Sequence, residues 1–155
     1  MSKEDMTPEQ LSEWMKQERE ILGELTKLLR QHIAARPEVN LGEWVRGLRA
    51  AFDRLLMHIQ RHYAAKQEDG YLSMVIEQRP TLSQQVERLR LEHEEILHMG
   101  TQIQEELASM TPEQYLRVAD ACARVLRFMA VAADHDQREI MITMYVFNQD
   151  MGLTG

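Results

Sequence analysis

Apolar side chains recur every third or fourth residue through four long stretches of this chain, a spacing that admits little besides α-helix. The first stripe holds Leu11, Trp14, Glu18, Ile21, Leu25, Leu28 and His32. The second holds Leu41, Val45, Leu48, Phe52, Leu55, Ile59, His62 and Lys66. The third runs Leu82, Val86, Leu89, His93, Ile96, Gly100, Ile103 and Leu107. The fourth runs Val118, Cys122, Val125, Phe128, Ala132, His135, Glu139 and Ile142. Each stretch therefore has one face to bury. Ala, Leu, Glu, Gln and Arg dominate and β-branched runs are absent, so no sheet is expected.

Four helix-start signals match the four stripes. Thr7-Pro8-Glu9-Gln10 offers a capping hydroxyl, a proline suited to the first turn and a glutamine that reaches back. Thr111-Pro112-Glu113-Gln114 repeats it, and Asn40 with Glu43 and Thr81 with Gln84 supply two more boxes. Breaks fall at Arg36-Pro37, at Asp69-Gly70 and at Ser109-Met110-Thr111, with a further short turn open over Tyr71 to Val75. Short links favour antiparallel neighbours. The expected fold is all-α, an up-down-up-down antiparallel four-helix bundle. It forms one domain over residues 1–155, with frayed ends at about 1–6 and 150–155.

Charge excludes some functions. Eighteen basic against 25 acidic residues give a net charge of −7. That disfavours a nucleic-acid surface, and no basic run marks a membrane patch. The longest apolar run, Phe128 to Ala133, is too short to span a bilayer. The single cysteine, Cys122, cannot form an internal disulfide and reads as a small apolar filler. The acidic N-terminus is no secretory signal, so a cytoplasmic protein is expected. Methionines 15, 57, 74, 99, 129, 141 and 144 read as core fillers. Oligomeric state leaves no trace in the sequence.

Polar groups on the stripes carry the chemistry. His58 and His62 lie one turn apart, as do His135 and Glu139; His93 and Glu18 sit on two other stripes. Burying imidazoles and carboxylates without partners is costly, and a metal ion satisfies them together. The mixture of His and Glu suits iron, one or two ions, with manganese or zinc as substitutes. The lack of cysteine pairs argues against an iron–sulfur cluster or a zinc finger. His32 reads as a structural core residue and His98 as a surface one. No catalytic pairing and no phosphate loop stand out.

On these residues the chain resembles the hemerythrin-like (HHE cation-binding) domains. The motif elements are Leu89-x-x-Glu92-His93-x-x-Ile96, His62-Tyr63 followed by Glu68-Asp69-Gly70-Tyr71-Leu72, and His135-x-x-x-Glu139, within about Leu11 to Val146. The resemblance implies a non-haem di-iron centre, with a histidine from each helix and bridging carboxylates from the second and fourth. His62, His93, His135 and Glu139 match that pattern. Glu18 (or, one residue on, Arg19) stands where the family has its first-helix histidine, and Lys66 stands where it has a bridging glutamate. Three arrangements stay open. His58 takes the helix ligand role with His62 in place of the bridge; or one ion is held by His62, His93, His135 and Glu139 with Glu18 added; or Lys66 replaces the second cation.

The implied function is binding or sensing of oxygen, nitric oxide or peroxide, or iron handling. An oxidase-like enzyme and a metal-free interaction module are the rival readings. The small ligand is the expected partner, with neither nucleic acid nor membrane.

Overall fold

A computed structural model describes residues 7–68 and 71–150; the side chains at 8, 11, 66–68, 71 and 147–150 fall outside that description. Five α-helices follow in order: α1 Pro8–Ala34, α2 Leu41–Glu68, α3 Tyr71–Gln78, α4 Ser83–Ser109 and α5 Tyr115–Asp150. A 3₁₀ turn at Pro80–Leu82 joins α3 to α4. No strand occurs among the described residues. The four stripes lie on α1, α2, α4 and α5; α3 is the short turn left open at Tyr71 to Val75, extended to eight residues. The expected frayed ends lie outside the described residues, apart from Asp150 at the end of α5.

The start signals met different fates. Thr7 caps α1 as expected: its hydroxyl accepts from Gln10 N–H at 3.1 Å, and the Gln10 side chain accepts from Thr7 N–H at 3.0 Å. Gln114 likewise reaches back to Thr111 N–H at 2.9 Å, but the helix begins only at Tyr115. Its first turn is set by Val118 N–H donating to the Gln114 carbonyl, so Gln114 stands before the helix. The Thr81–Gln84 box is a correction. Pro80 starts a 3₁₀ turn, Leu82 takes the cap position of α4, and no side chain caps it. Asn40, ahead of α2, adopts φ 58°, a left-handed geometry that asparagine tolerates.

The helices close a ring of contacts: α1 on α2, α2 on α4, α4 on α5, and α5 back on α1. His32 of α1 locks this ring at one level. Its ring stacks on Trp44 at 5.0 Å, its Nε2 lies 2.8 Å from the Trp44 carbonyl, and Trp44 Nε1 donates to the His32 carbonyl at 2.8 Å. Gly47 makes room, since a Cβ there would meet His32 Cε1 at 2.6 Å. His32 is structural, as its sequence position suggests, and His98 is exposed. Where α4 ends and α5 begins, Arg117 grips Glu106 through Nε at 2.7 Å and Nη2 at 3.2 Å. That guanidinium holds the Glu106 carboxyl below the usual carboxylate range.

Two apolar clusters fill the interior. The larger includes Leu29, Leu48, Phe52, Leu56, Ile59, Ile96, Phe128 and Ala132. The smaller gathers Met15, Leu72, Val75, Val86 and Val146, so α3 closes that end. The stripes of α2 and α4 bury as read, although the Lys66 side chain is outside the described residues. The stripe on α1 needs correction. Ile21 and Leu28 are about half exposed, at 47% and 52%, while Met15 and Leu29 are buried. Successive helical positions are 100° apart, so a modest rotation of α1 exchanges a stripe for its neighbour. Met57, Met141 and Met144 are exposed and do not fill the core; Met15 and Met129 do.

Candidate metal centre

The site lies where the two apolar clusters meet. On α4, His93 falls between Leu89 and Ile96 on the buried face, and is fully inaccessible. On α5, His135 and Glu139 project from the same face one turn apart, both fully inaccessible. Their polar ends converge. His93 Nε2 lies 3.3 Å from Glu139 Oε2, and His135 Nε2 lies 3.1 Å from the same oxygen. One ligand atom from each of the three fits within 4.8 Å of the other two.

Helix geometry alone does not make this cheap. A carboxylate removed from water must be compensated, by protons or by a cation. His93 provides one hydrogen bond to Glu139. His135 Nε2, fully enclosed, has no hydrogen-bond partner of acceptable geometry. The Thr143 hydroxyl, one turn further along α5, donates to the Glu139 main-chain carbonyl at 2.9 Å. Two imidazoles and a carboxylate aimed at one another are the donor set of a non-haem metal ion, and the residues present fit such a group.

The other nitrogen of His135 is held from outside. Its Nδ1 lies 3.5 Å from Glu92 Oε2. Glu92 in turn accepts two bonds from Arg138, at 2.7 and 2.6 Å, and Arg138 Nε also reaches Asp134 at 3.1 Å. Hydrogen bonding from Arg138 keeps the Glu92 carboxyl below its ordinary range. A carboxylate behind a histidine fixes which ring nitrogen faces the metal. Replacing Glu92 with alanine is expected to weaken metal binding by about 10–100-fold. A competitive chelator titration reads this; an unchanged affinity would leave Glu92 with a surface role only.

Tyr63 of α2 walls the site. Its ring stacks on His93 at 4.1 Å and meets His135 edge-on at 5.6 Å. Burial, with Glu139 nearby, pushes its hydroxyl far above the ordinary phenol range, so it remains a neutral group.

A second set stands on α1 and α2. Glu18 Oε2 lies 3.3 Å from His58 Nε2 and 3.4 Å from His62 Nδ1. The two imidazoles stack at 6.1 Å, and Trp14 covers His62 at 5.3 Å. Here too two histidines surround one glutamate, but among the described residues only His93, His135 and Glu139 come together closely enough to hold an ion as a group. Glu18 is therefore the inward residue of α1, whereas Arg19 is exposed. The six residues picked out by sequence thus fall into two groups, and His62 sides with Glu18 and His58. Lys66 cannot be placed, because its side chain is outside the described residues.

Sequence reasoning named Glu92 and Tyr63 only as motif letters and gave neither a role; it gave none to Arg138. Glu92 precedes His93, and Arg138 follows His135 by three residues. The spacing hints at a shared face, but pairing across α4 and α5 is not written in it.

A helical protein with a buried histidine–carboxylate cluster defines the class: a cation-binding helical domain. The chain belongs to the hemerythrin family, since the model of the hemerythrin HHE cation-binding domain matches residues 10–142. No curated protein and no solved structure matches it. Among the described residues, no helix is long and apolar enough to cross a membrane.

Proposed function

We propose that this protein binds non-haem iron through Glu18, His58, His62, His93, His135 and Glu139, and uses it to hold or sense oxygen, nitric oxide or peroxide. The observation that carries this reading is the dry convergence of His93, His135 and Glu139. Two histidines with one carboxylate suit iron(II) and leave coordination positions free for a small molecule. Iron in that donor set supplies a redox-active Lewis acid. The chain itself supplies the rest: Glu92 orients His135, Tyr63 shields His93, and the apolar clusters keep bulk water out.

The two donor sets favour two ions per chain, with the tighter α4–α5 set filling first. The contacts support an up-down-up-down bundle as the scaffold. His32 meets Trp44 while Glu18 meets His58, pairs that support an antiparallel α1 and α2. Gln104 meets Asp53 while His93 meets Tyr63, and Glu106 meets Arg117 while His93 meets Glu139. Those pairs support α4 running against α2 and α5 against α4. Burial raises the Cys122 thiol above its usual range, which makes it inert and suits a reducing cytoplasm. The net charge of −7 favours neither nucleic acid nor anionic membrane as a partner.

Protein purified without a chelating tag and reconstituted anaerobically with iron tests the reading by mass-spectrometric metal analysis. About two iron ions per chain are expected, falling to about one in His58→Ala. No retained iron would overturn the function. One ion in both proteins would overturn the second subsite.

A further inference from the structure

A slot opens on the seam between α1 and α5, away from the donor atoms. Its volume is about 260 Å³, and its floor is apolar, formed by Leu22, Leu55, Ile59 and Met129. At roughly 30 Å³ per water molecule, that is room for eight or nine waters, or a chain of about eight carbons. The slot is open to solvent along its Arg19, Gly23 and Arg30 side, so its apolar floor is reachable from outside.

Gly23 lines the slot in the middle of α1, where glycine weakens a helix. No close approach demands it: a Cβ there would meet nothing within 4 Å. Gly47 and Gly100 are different, since a Cβ at either would strike a neighbouring side chain. The missing side chain at Gly23 leaves that part of the slot's wall without bulk.

The rim is cationic. Arg19 and Arg30 both line the slot. They stand eleven residues apart, three turns on one face and roughly 16 Å along the axis. Neither has an ion pair among the described residues, unlike Arg90, Arg117 and Arg138. The lining carboxylate, Asp136, belongs to α5 next to His135. With α5 antiparallel to α1, Asp136 falls at the Arg19 end and Met129 at the Arg30 end. An anion is therefore favoured at Arg30 and opposed at Arg19.

We propose that this slot binds a medium-chain aliphatic monocarboxylate, its carboxylate on Arg30 and its alkyl body over Leu22, Leu55 and Ile59. An apolar floor with a few polar and charged groups at its edge is a usual form of a small-ligand site. Arginine matches a carboxylate through two parallel N–H donors. The proposal is independent of metal, because no lining residue belongs to the six metal-site residues.

Calorimetric titration of the metal-free protein with octanoate tests it. Saturable one-to-one binding is expected, with 1-octanol failing to bind. Arg30→Gln weakens the octanoate affinity by at least about 10-fold, as loss of a charge-assisted bond does. Gly23→Leu fills the slot and abolishes binding, with helicity and melting temperature preserved, because leucine suits a helix and meets open space. Absence of saturable binding, equal binding of 1-octanol, or unaltered affinity in Arg30→Gln would each overturn the proposal. So would wild-type affinity in folded Gly23→Leu. Arg30 is exposed, so its variant decides the matter if Gly23→Leu does not fold.

Discussion

His135→Ala is expected to leave the α4–α5 site without metal while the helices remain. His135 contributes one of three converging donors, and its Nε2 is the enclosed nitrogen without a hydrogen-bond partner. Its removal leaves only His93 and Glu139 to face a cation. Chelation then falls by more than the roughly 10–100-fold that loss of an outer supporting group costs. The readouts are metal content and melting. A ligand that binds only the native state at 100 times its dissociation constant adds about 2.7 kcal/mol. Iron should therefore raise the melting temperature of the wild type far more than that of His135→Ala. Far-ultraviolet circular dichroism checks that the variant keeps its helices. Equal iron-induced shifts in both proteins would refute the site, because then iron binds elsewhere.

Phe128→Ala should produce the largest loss of stability. The ring is fully buried on α5 and meets Phe52 edge-on at 5.4 Å. It also fills the space that Gly100 leaves open on α4: a Cβ there would meet Phe128 Cε2 at 3.1 Å and Leu56 Cδ1 at 2.5 Å. Glycine at 100 and phenylalanine at 128 are thus complementary. Truncation removes the ring from a gap that a glycine cannot refill, and the backbone of α4 is too stiff to collapse into it. The expected cost is about 3–5 kcal/mol, read from urea unfolding of the metal-free protein. A loss below about 1 kcal/mol would mean that the ring is not tightly packed. The sequence places Gly100 on the third stripe; the structure makes it the seat of an aromatic ring.

Much of the scaffold was legible because helical periodicity is local. The stripes of α2 and α4 bury as read, down to His62 and His93. The Thr7 cap formed because both of its partners lie within one turn. The Thr81 box failed because Pro80 drew the chain into a 3₁₀ turn first, which moved the start of α4 to Ser83. On α1 the stripe held at Trp14, Glu18, Leu25 and His32 but failed at Ile21 and Leu28, whose inward places go to Leu22 and Leu29. Its inner and outer apolar rows are similar in composition, and only the neighbouring helices select between them. The exposed methionines of α2 and α5 were misread for the same reason: flexible apolar side chains suit either environment.

The sequence by itself determined which residues are helical and that histidines and glutamates interrupt the apolar faces, because both follow from spacings within a few residues. Tertiary structure decided the rest. It grouped His93 with His135 and Glu139, and Glu18 with His58 and His62. It set Glu92 and Arg138 behind His135, and left the α1–α5 seam open. The physical reason is that a partner across two helices depends on their relative rotation and axial register. Those are fixed by the packing of whole faces such as Gly100 against Phe128, and no local spacing encodes them.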